Sequence, residues 1–283
     1  MKVVKILNNN YILVEDSNGN ECIVMGRGLR FSNQVGRELK EENIQKIFAL
    51  KDAGKVRSWQ QMLEGIPEEY GEAIHWAIML ADEAMPGKLK EPVFTTLFDH
   101  LIFALERQKK KILLQNRLLW EIRQFYPEEF ALGKKMIACL NERLQMELPE
   151  EEAGNIAFHL VNAKTENPDM EQTMQAVRML KDIFNIVQYT FANRIQTDSI
   201  HYTRFVTHMQ FFLQRVLEHK MLCGNQLEIF EQIALGQPES YGCAKKIGDY
   251  IRGTLKEEIP REELLYLTIH IARIVMEPNT PYK

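Results

Sequence analysis

Four histidines in a repeated setting have the clearest capacity for chemistry in this sequence. One stretch reads Phe94-x2-Leu97-x2-His100-x2-Phe103-x-Leu105-x-Arg107, and a later one reads Tyr202-x2-Phe205-x2-His208-x2-Phe211-x-Leu213-x-Arg215, an offset of 208 − 100 = 108 residues. Pro127-Glu128, Lys134-Lys135, Leu148-Pro149, Glu151-Glu152 and His159 then recur as Pro238-Glu239, Lys245-Lys246, Ile259-Pro260, Glu262-Glu263 and His270, displaced by 270 − 159 = 111. A fixed displacement over that distance means two copies of one domain. Imidazoles at duplicated positions suit metal ligation or reversible phosphorylation. Metal sites gather N, S or O ligands with further groups orienting them. Neighbouring arginines oppose a cation, whereas they bind a phosphate through bidentate hydrogen bonds. His75, His201 and His219 are expected to be structural imidazoles.

Helical geometry places these groups. At 100° per residue Phe94, Leu97, Phe98, Leu101 and Leu105 share one stripe, with His100 and Arg107 together on the other side. His208 and Arg215 stand apart in the same way from Tyr202, Phe205, Val206, Met209 and Leu213, with Arg204 one turn before His208. Polar groups also flank the second histidine of each copy: Glu152, Asn155 and Asn162 around His159, and Glu263 and Arg273 around His270. A phosphoryl group could form one to three new charge-assisted hydrogen bonds. Each is worth roughly 1.5–3 kcal/mol, and reversing a 1:99 equilibrium takes about 5.5 kcal/mol. One histidine would fall short, and several per dimer would suffice.

The pattern from Ser58 onward is helical, with apolar residues at i, i+3, i+4 and i+7 and few β-branched clusters. The copies should join near Lys164-Thr165-Glu166-Asn167-Pro168, where Asn-Pro favours a break in helix. Before Ser58 the chemistry changes. Val3 to Leu7, Tyr11 to Val14 and Glu21 to Met25 are short β-branched runs separated by Asn8-Asn9-Asn10 and by Asn18-Gly19, a tight-hairpin dipeptide. A fourth strand is available at Ile44 to Leu50, after the polar stretch Asn33 to Glu42, and dimerisation could supply further burial. Gly26-Arg27-Gly28, followed by Arg30 and Phe31, lets backbone approach a ligand while offering guanidinium and a stacking face. Such a surface suits single-stranded or distorted RNA.

Composition bounds the rest. With 283 residues, 45% apolar and 26% charged, the chain suits two or three globular domains. Residues 1–55 hold nine Lys or Arg against seven Asp or Glu, a charge of +2, and the remainder is −6. That asymmetry favours an N-terminal polyanion partner. No apolar run approaches the roughly 18 residues of a membrane helix and no h-region opens the chain, so a cytoplasmic protein without membrane insertion is expected. Cys22, Cys139, Cys223 and Cys243 show neither metal-ligand nor disulfide-framework spacing, so no metal and no cofactor is expected. A P-loop, nucleophile elbow, zincin helix and dinucleotide fingerprint are all lacking, which argues against an enzyme.

Lys5, Leu7-Asn8-Asn9-Asn10 and Val24-Met25-Gly26-Arg27-Gly28-Leu29 with Phe31 resemble the co-antiterminator RNA-binding domain of BglG/SacY-type bacterial transcription antiterminators. Both helical copies resemble that family's phosphotransferase-system regulation domain. The resemblance implies a multidomain chain: a small antiparallel β-sheet RNA-binding domain at 1–55, a linker at 56–65, and two all-α helical-bundle regulatory domains at 66–168 and 172–283. It implies a homodimer that grips an RNA antiterminator hairpin, with Lys5, Asn8, Asn10, Gly26, Arg27, Gly28, Arg30 and Phe31 at the interface. It also implies phosphorylation of His100, His159, His208 and His270, with Asp99, Arg107, Arg204, Arg215 and Arg273 beside them. The donors would be HPr and a sugar-specific enzyme II, the latter inactivating the protein through the first copy when inducer is absent, the former activating it through the second. The rival is a DNA-binding activator with the same regulatory domains, whose signature would be an N-terminal helix-turn-helix.

Overall fold

The computed structural model describes residues 1–49, 53–112, 116–165, 169–191, 194–197, 199–224 and 227–275. The N-terminal module is a four-stranded antiparallel sheet, β1 (Lys2–Ile6), β2 (Tyr11–Glu15), β3 (Glu21–Gly26) and β4 (Ile44–Ala49), in the order β1-β2-β3-β4. These strands coincide closely with the β-branched runs; Leu50 lies outside the described residues. Asx chemistry shapes both hairpins: Asn8 Oδ1 accepts from the Asn10 and Tyr11 amides, and Asp16 Oδ1 accepts from the Asn18 and Asn20 amides. Gly19, at φ 79°, takes the left-handed turn position.

Both faces of the sheet are buried, which is why β2 and β3 read as nearly continuous apolar runs instead of an alternation. Val3, Ile12, Val14, Cys22, Val24 and Leu29 form one small core, closed by the single-turn helix α1 (Leu29–Ser32) and by Leu39. The opposite face carries Tyr11, Leu13, Ile23, Met25 and Phe48. It packs on α2 (Ala53–Gly65), α3 (Glu68–Ala84) and α4 (Glu91–Lys109). Phe48 lies 5.1 Å from Trp59 and 4.5 Å from Phe94 between ring centroids, and Tyr11 lies 5.7 Å from Phe98. Residues 56–65, expected as a linker, are therefore helical and packed, with Val56, Trp59 and Leu63 buried. The remaining helices of the first copy are α5 (Leu119–Phe125), α6 (Pro127–Leu144) and α7 (Glu150–Asn162).

Sheet and first helical copy belong to one compact unit, Met1–Met170, and Glu171–Lys283 forms a second. The second holds α8 (Met170–Phe191), α9 (Ile200–Leu217), α10 (Leu227–Gly236), α11 (Pro238–Leu255) and α12 (Arg261–Val275). Duplication extends to the helix ends. Pro127 and Pro238 open α6 and α11, where the missing N–H has no intrahelical partner to lose. Chain reversals after α4 and α9 place Lys111 and His219 at φ 56° and 54°, and α6 and α11 close on Gln145 and Lys256 at 51° and 61°. Those pairs keep the 108 and 111 offsets. Residues 166–168, at the expected junction, lie outside the described residues. Among the described residues no helix is long and apolar enough to cross a membrane, and residues 1–49 contain no helix-turn-helix.

Candidate functional site

The first histidine pair is built by α4 and α7. The stripe Phe94, Leu97, Phe98, Leu101 and Leu105 is buried, as its spacing requires, and turns His100 toward α7. There the His100 and His159 rings lie 5.1 Å apart between centroids. Glu152, two turns of α7 before the latter, is the hub of the site. Arg107 donates to its Oε1 at 2.8 Å, Asn155 donates to its Oε2 at 3.1 Å, and His100 Nε2 approaches Oε2 at 3.2 Å without aligning for a hydrogen bond. Asn116 in turn donates to Asn155 Oδ1 at 3.0 Å. A cleft of about 460 Å³ opens over the pair, lined by Asp99, His100, Phe103, Arg107 and His159 among others.

The second pair lies between α9 and α12, and its rings are closer, His208 stacking on His270 at 3.6 Å. Arg215 grips the fully buried Glu263 bidentately, Nε to Oε1 at 2.8 Å and Nη2 to Oε2 at 2.7 Å. The Leu222 amide donates to the same carboxylate at 2.9 Å, and the guanidinium rests 4.6 Å over the Tyr266 ring. Arg204 and Arg273 are exposed and raise the positive potential at His208. The repeated unit is thus an imidazole pair beside a buried arginine–glutamate pair. Glu152 and Glu263 are legible as one more pair at the 111 offset. Tyr266 has no such signal, since Asn155 occupies its place in the first copy.

The imidazole nitrogens are not equivalent. The Thr96 hydroxyl donates to the Val93 carbonyl at 3.1 Å and lies 3.4 Å from His159 Nδ1. The Tyr266 hydroxyl lies 3.2 Å from the His208 carbonyl and hydrogen-bonds His208 Nδ1 at 2.9 Å. In each copy a hydroxyl thus engages one Nδ1, which leaves the Nε2 of that ring as the nitrogen clear of it. Burial, reinforced by His100, brings His159 down to about 3. Burial, with His208, Arg273 and Arg215, brings His270 down to about 4. Burial and then Arg273, Arg204 and Arg215 also lower His208. These three rings are neutral near pH 7. For Glu152, burial alone would raise the carboxyl, but contact with His100, Arg107 and Asn155 outweighs it and holds the group at about 2. Burial leads in raising Asp99.

These shifts fix a pH dependence. His159 is neutral in the fold and protonates near 6.5 when unfolded, so the unfolded chain binds more protons between those values and stability falls as pH drops through that window. The loss attributable to His159 should reach up to about 2 kcal/mol between pH 6.5 and 5. Urea unfolding across that range should show the decline, and His159→Gln should flatten it. Glu152 has the same sign in a lower window: its contribution persists above about 4.5 and fades toward 2.

At the sheet, Lys5, Arg27, Arg30 and Phe31 are all exposed, Phe31 by 80%. Asn8 and Asn10 organise the loop itself, Asn10 Oδ1 accepting from the Gly28 amide at 3.0 Å. Gly28 is left-handed at φ 63° and opens α1. A Cβ on Gly26 would stand 2.1 Å from the Asn43 carbonyl oxygen, so only glycine fits there. Lys5 pairs with Glu64 at 2.8 Å, Arg30 approaches Glu68 at 4.0 Å, and the Arg27 guanidinium lies 5.5 Å over the Trp76 ring. Among the described residues no three His, Cys, Asp or Glu side chains gather as a metal site.

Comparison with known proteins places both halves. The model of the CAT RNA-binding domain matches residues 1–56, and that of the PRD domain matches 61–163 and again 181–274. The chain is 36% identical over 277 residues to the transcription antiterminator LicT of Bacillus subtilis, covering 98% of this chain and 100% of that protein. It is 37% identical, again over 277 residues, to a beta-glucoside operon antiterminator of Dickeya chrysanthemi, with 98% of each covered. The crystal structure of GlcT CAT-PRDI matches with a TM-score of 0.53 at 29% identity, covering 58% of this chain and 98% of that one.

Proposed function

This chain belongs to the family of sugar-operon transcription antiterminators that join a CAT RNA-binding domain to two PRD domains, and on that footing we propose that it holds a nascent leader hairpin, blocks an overlapping terminator, and is switched by histidine phosphorylation. The observation that carries this reading is the recurrence, in both helical copies, of an imidazole pair beside a buried arginine–glutamate pair. His100, His159, His208 and His270 are the acceptors. A neutral imidazole nitrogen attacks the phosphorus carried by the donor; the bond from phosphorus to the donor side chain breaks as the new N–P bond forms, and the leaving side chain takes up the proton that the acceptor ring gives up. HPr and a sugar-specific enzyme II supply the group, so catalysis belongs to the donors and the chain itself is not an enzyme.

The arginines explain how the mark is read. Each holds a buried carboxylate, and a phosphoryl group adds a charge of about −1.5 to −2. Placed beside Glu152 or Glu263, it repels the carboxylate and offers the guanidinium a stronger partner. Arginine exchange then shifts the population between two packings of a homodimer, only one of which holds RNA. The protein acts in the cytoplasm, where transcript and donors meet.

On the RNA side, Arg27 and Arg30 supply phosphate and base contacts, Phe31 a stacking face, and Lys5 further charge. Gly26, Gly28, Asn8 and Asn10 hold the loop that presents them. Arg27→Ala in the full chain should weaken hairpin binding tenfold to a hundredfold, as expected for a lost arginine contact worth about 1–3 kcal/mol. A gel shift against a labelled leader hairpin measures this, and unchanged affinity would remove Arg27 from the interface.

A further inference from the structure

Three of the groups proposed to meet RNA, Lys5, Arg27 and Arg30, face one helical edge of the same compact unit, and Asn9 beside them does the same. Lys5 Nζ is 2.8 Å from Glu64 at the end of α2, Arg30 is 4.0 Å from Glu68 at the start of α3, and Asn9 Nδ2 donates to Glu72 at 3.2 Å. Arg27 lies over Trp76 one turn further on. Glu68, Glu72 and Trp76 are spaced by four along α3, the spacing that puts side chains in a row on a helix, and Glu64, at the end of α2, meets Lys5 at the same rim. The glutamates are exposed, so no demand of the helical core places carboxylates there. Their row is a line of anions laid along the cationic rim of the sheet, as the phosphates of a nucleic-acid strand would be. Further along α3, Asp82 takes Lys46 of β4 at 2.9 Å.

The packing behind this rim is incompletely satisfied. His75, on the buried side of α3, is 1% exposed and among the described residues neither ring nitrogen has a hydrogen-bond partner; the Tyr11 hydroxyl on β2, fully buried 6.0 Å away between ring centroids, has none there either. Buried polar groups are paired in the great majority of cases, and leaving them unpaired opposes the packing that buries them. Separating α3 from the sheet would return all three atoms to water. Phe48 packs on Trp59 of α2 and Phe94 of α4, which holds the sheet against the helical copy, so the closed arrangement is a balance of opposing contributions.

We infer that the Glu64–Glu68–Glu72 edge of the first helical copy is an intramolecular docking surface for the RNA-binding face, a carboxylate stand-in for RNA phosphates that must be displaced before the hairpin binds. This rests on the proposed RNA-binding role of the N-terminal module. It would give the helical copy direct control of RNA access: any change that strengthens the edge against the sheet closes the binding face, and any change that loosens it opens the face.

A zero-length carbodiimide reagent tests this on the full chain, since it joins an amine to a carboxylate only where they touch. Without RNA, mass spectrometry should find a Lys5–Glu64 isopeptide, with Lys134–Glu150, an ion pair within the helical copy at 3.5 Å, as internal control. Saturating leader hairpin with internal loops should suppress the first link at least fivefold and leave the second unchanged. The triple variant E64Q/E68Q/E72Q, whose substitutions are exposed and isosteric, should bind that hairpin about tenfold tighter than the unaltered chain. If the hairpin is bound, as a gel shift reports, yet the Lys5–Glu64 link forms undiminished, the inference is wrong and the RNA reading stands. If neither chain binds the hairpin, the RNA reading fails and takes the inference with it.

Discussion

Glu263→Ala is expected to lower the stability of the second helical copy by about 3 kcal/mol, at the lower end of the 3–5 kcal/mol typical for breaking a buried ion pair from one side. The carboxylate is fully buried and accepts from Arg215 Nε, Arg215 Nη2 and the Leu222 amide. Truncation removes both acceptor oxygens and with them all three hydrogen bonds, leaving a guanidinium and a backbone N–H without that partner. Arg215 keeps 21% of its side chain exposed, so water recovers part of the loss. Replacing both partners, Arg215→Met with Glu263→Leu, should restore most of the stability, because two apolar side chains leave no buried charge behind. Urea unfolding monitored on the second unit measures both variants. A loss under about 1 kcal/mol for Glu263→Ala would mean the pair is weakly formed, and the arginine-exchange mechanism would lose its starting state.

The second large effect is regulatory. His100→Ala should give read-through of a leader-terminator reporter in cells grown without inducing sugar, roughly tenfold to a hundredfold above the unaltered protein. Each charge-assisted hydrogen bond to a phosphoryl group is worth about 1.5–3 kcal/mol, and 1.4 kcal/mol is a factor of ten in a two-state population. His100 is the imidazole through which a phosphoryl group would reach both Glu152 and Arg107, the two halves of the buried pair. Alanine removes the acceptor without touching Glu152, whose bonds to Arg107 and Asn155 remain. Unchanged repression would place the inhibitory mark elsewhere.

The two kinds of information differed in what they could reach. Strand and helix types were legible because the period of the apolar pattern changes near Ser58, and the duplication because it compares the chain with itself. The packing of 56–65 on the sheet was not, since its buried residues Val56, Trp59 and Leu63 are few and their partner, the outer face of the sheet, is not signalled by the sequence around them. Tyr11, Leu13 and Ile23 could not announce that partner either: a strand covered on both faces loses the alternation that distinguishes them. At the histidines, types and repeat offsets brought the right residues to notice. The carboxylate hub did not follow from type, because Glu152 and Glu263 resemble surface glutamates until α4 and α9 cover them. The partners of the ring nitrogens lay further out of reach, being hydroxyls of Thr96 and Tyr266 that share no repeat position. Asn8 and Asn10 show the converse: their type suits RNA contact, while their oxygens are occupied in shaping the loop.

Phosphohistidine mapping by mass spectrometry, on protein taken from cells grown with and without β-glucosides or sucrose, tests the central claim most directly. The account predicts phosphoryl groups on His100 or His159 that fall when an inducing sugar is supplied, together with phosphoryl groups on His208 or His270. Absence of phosphate from all four imidazoles under every growth condition would contradict it.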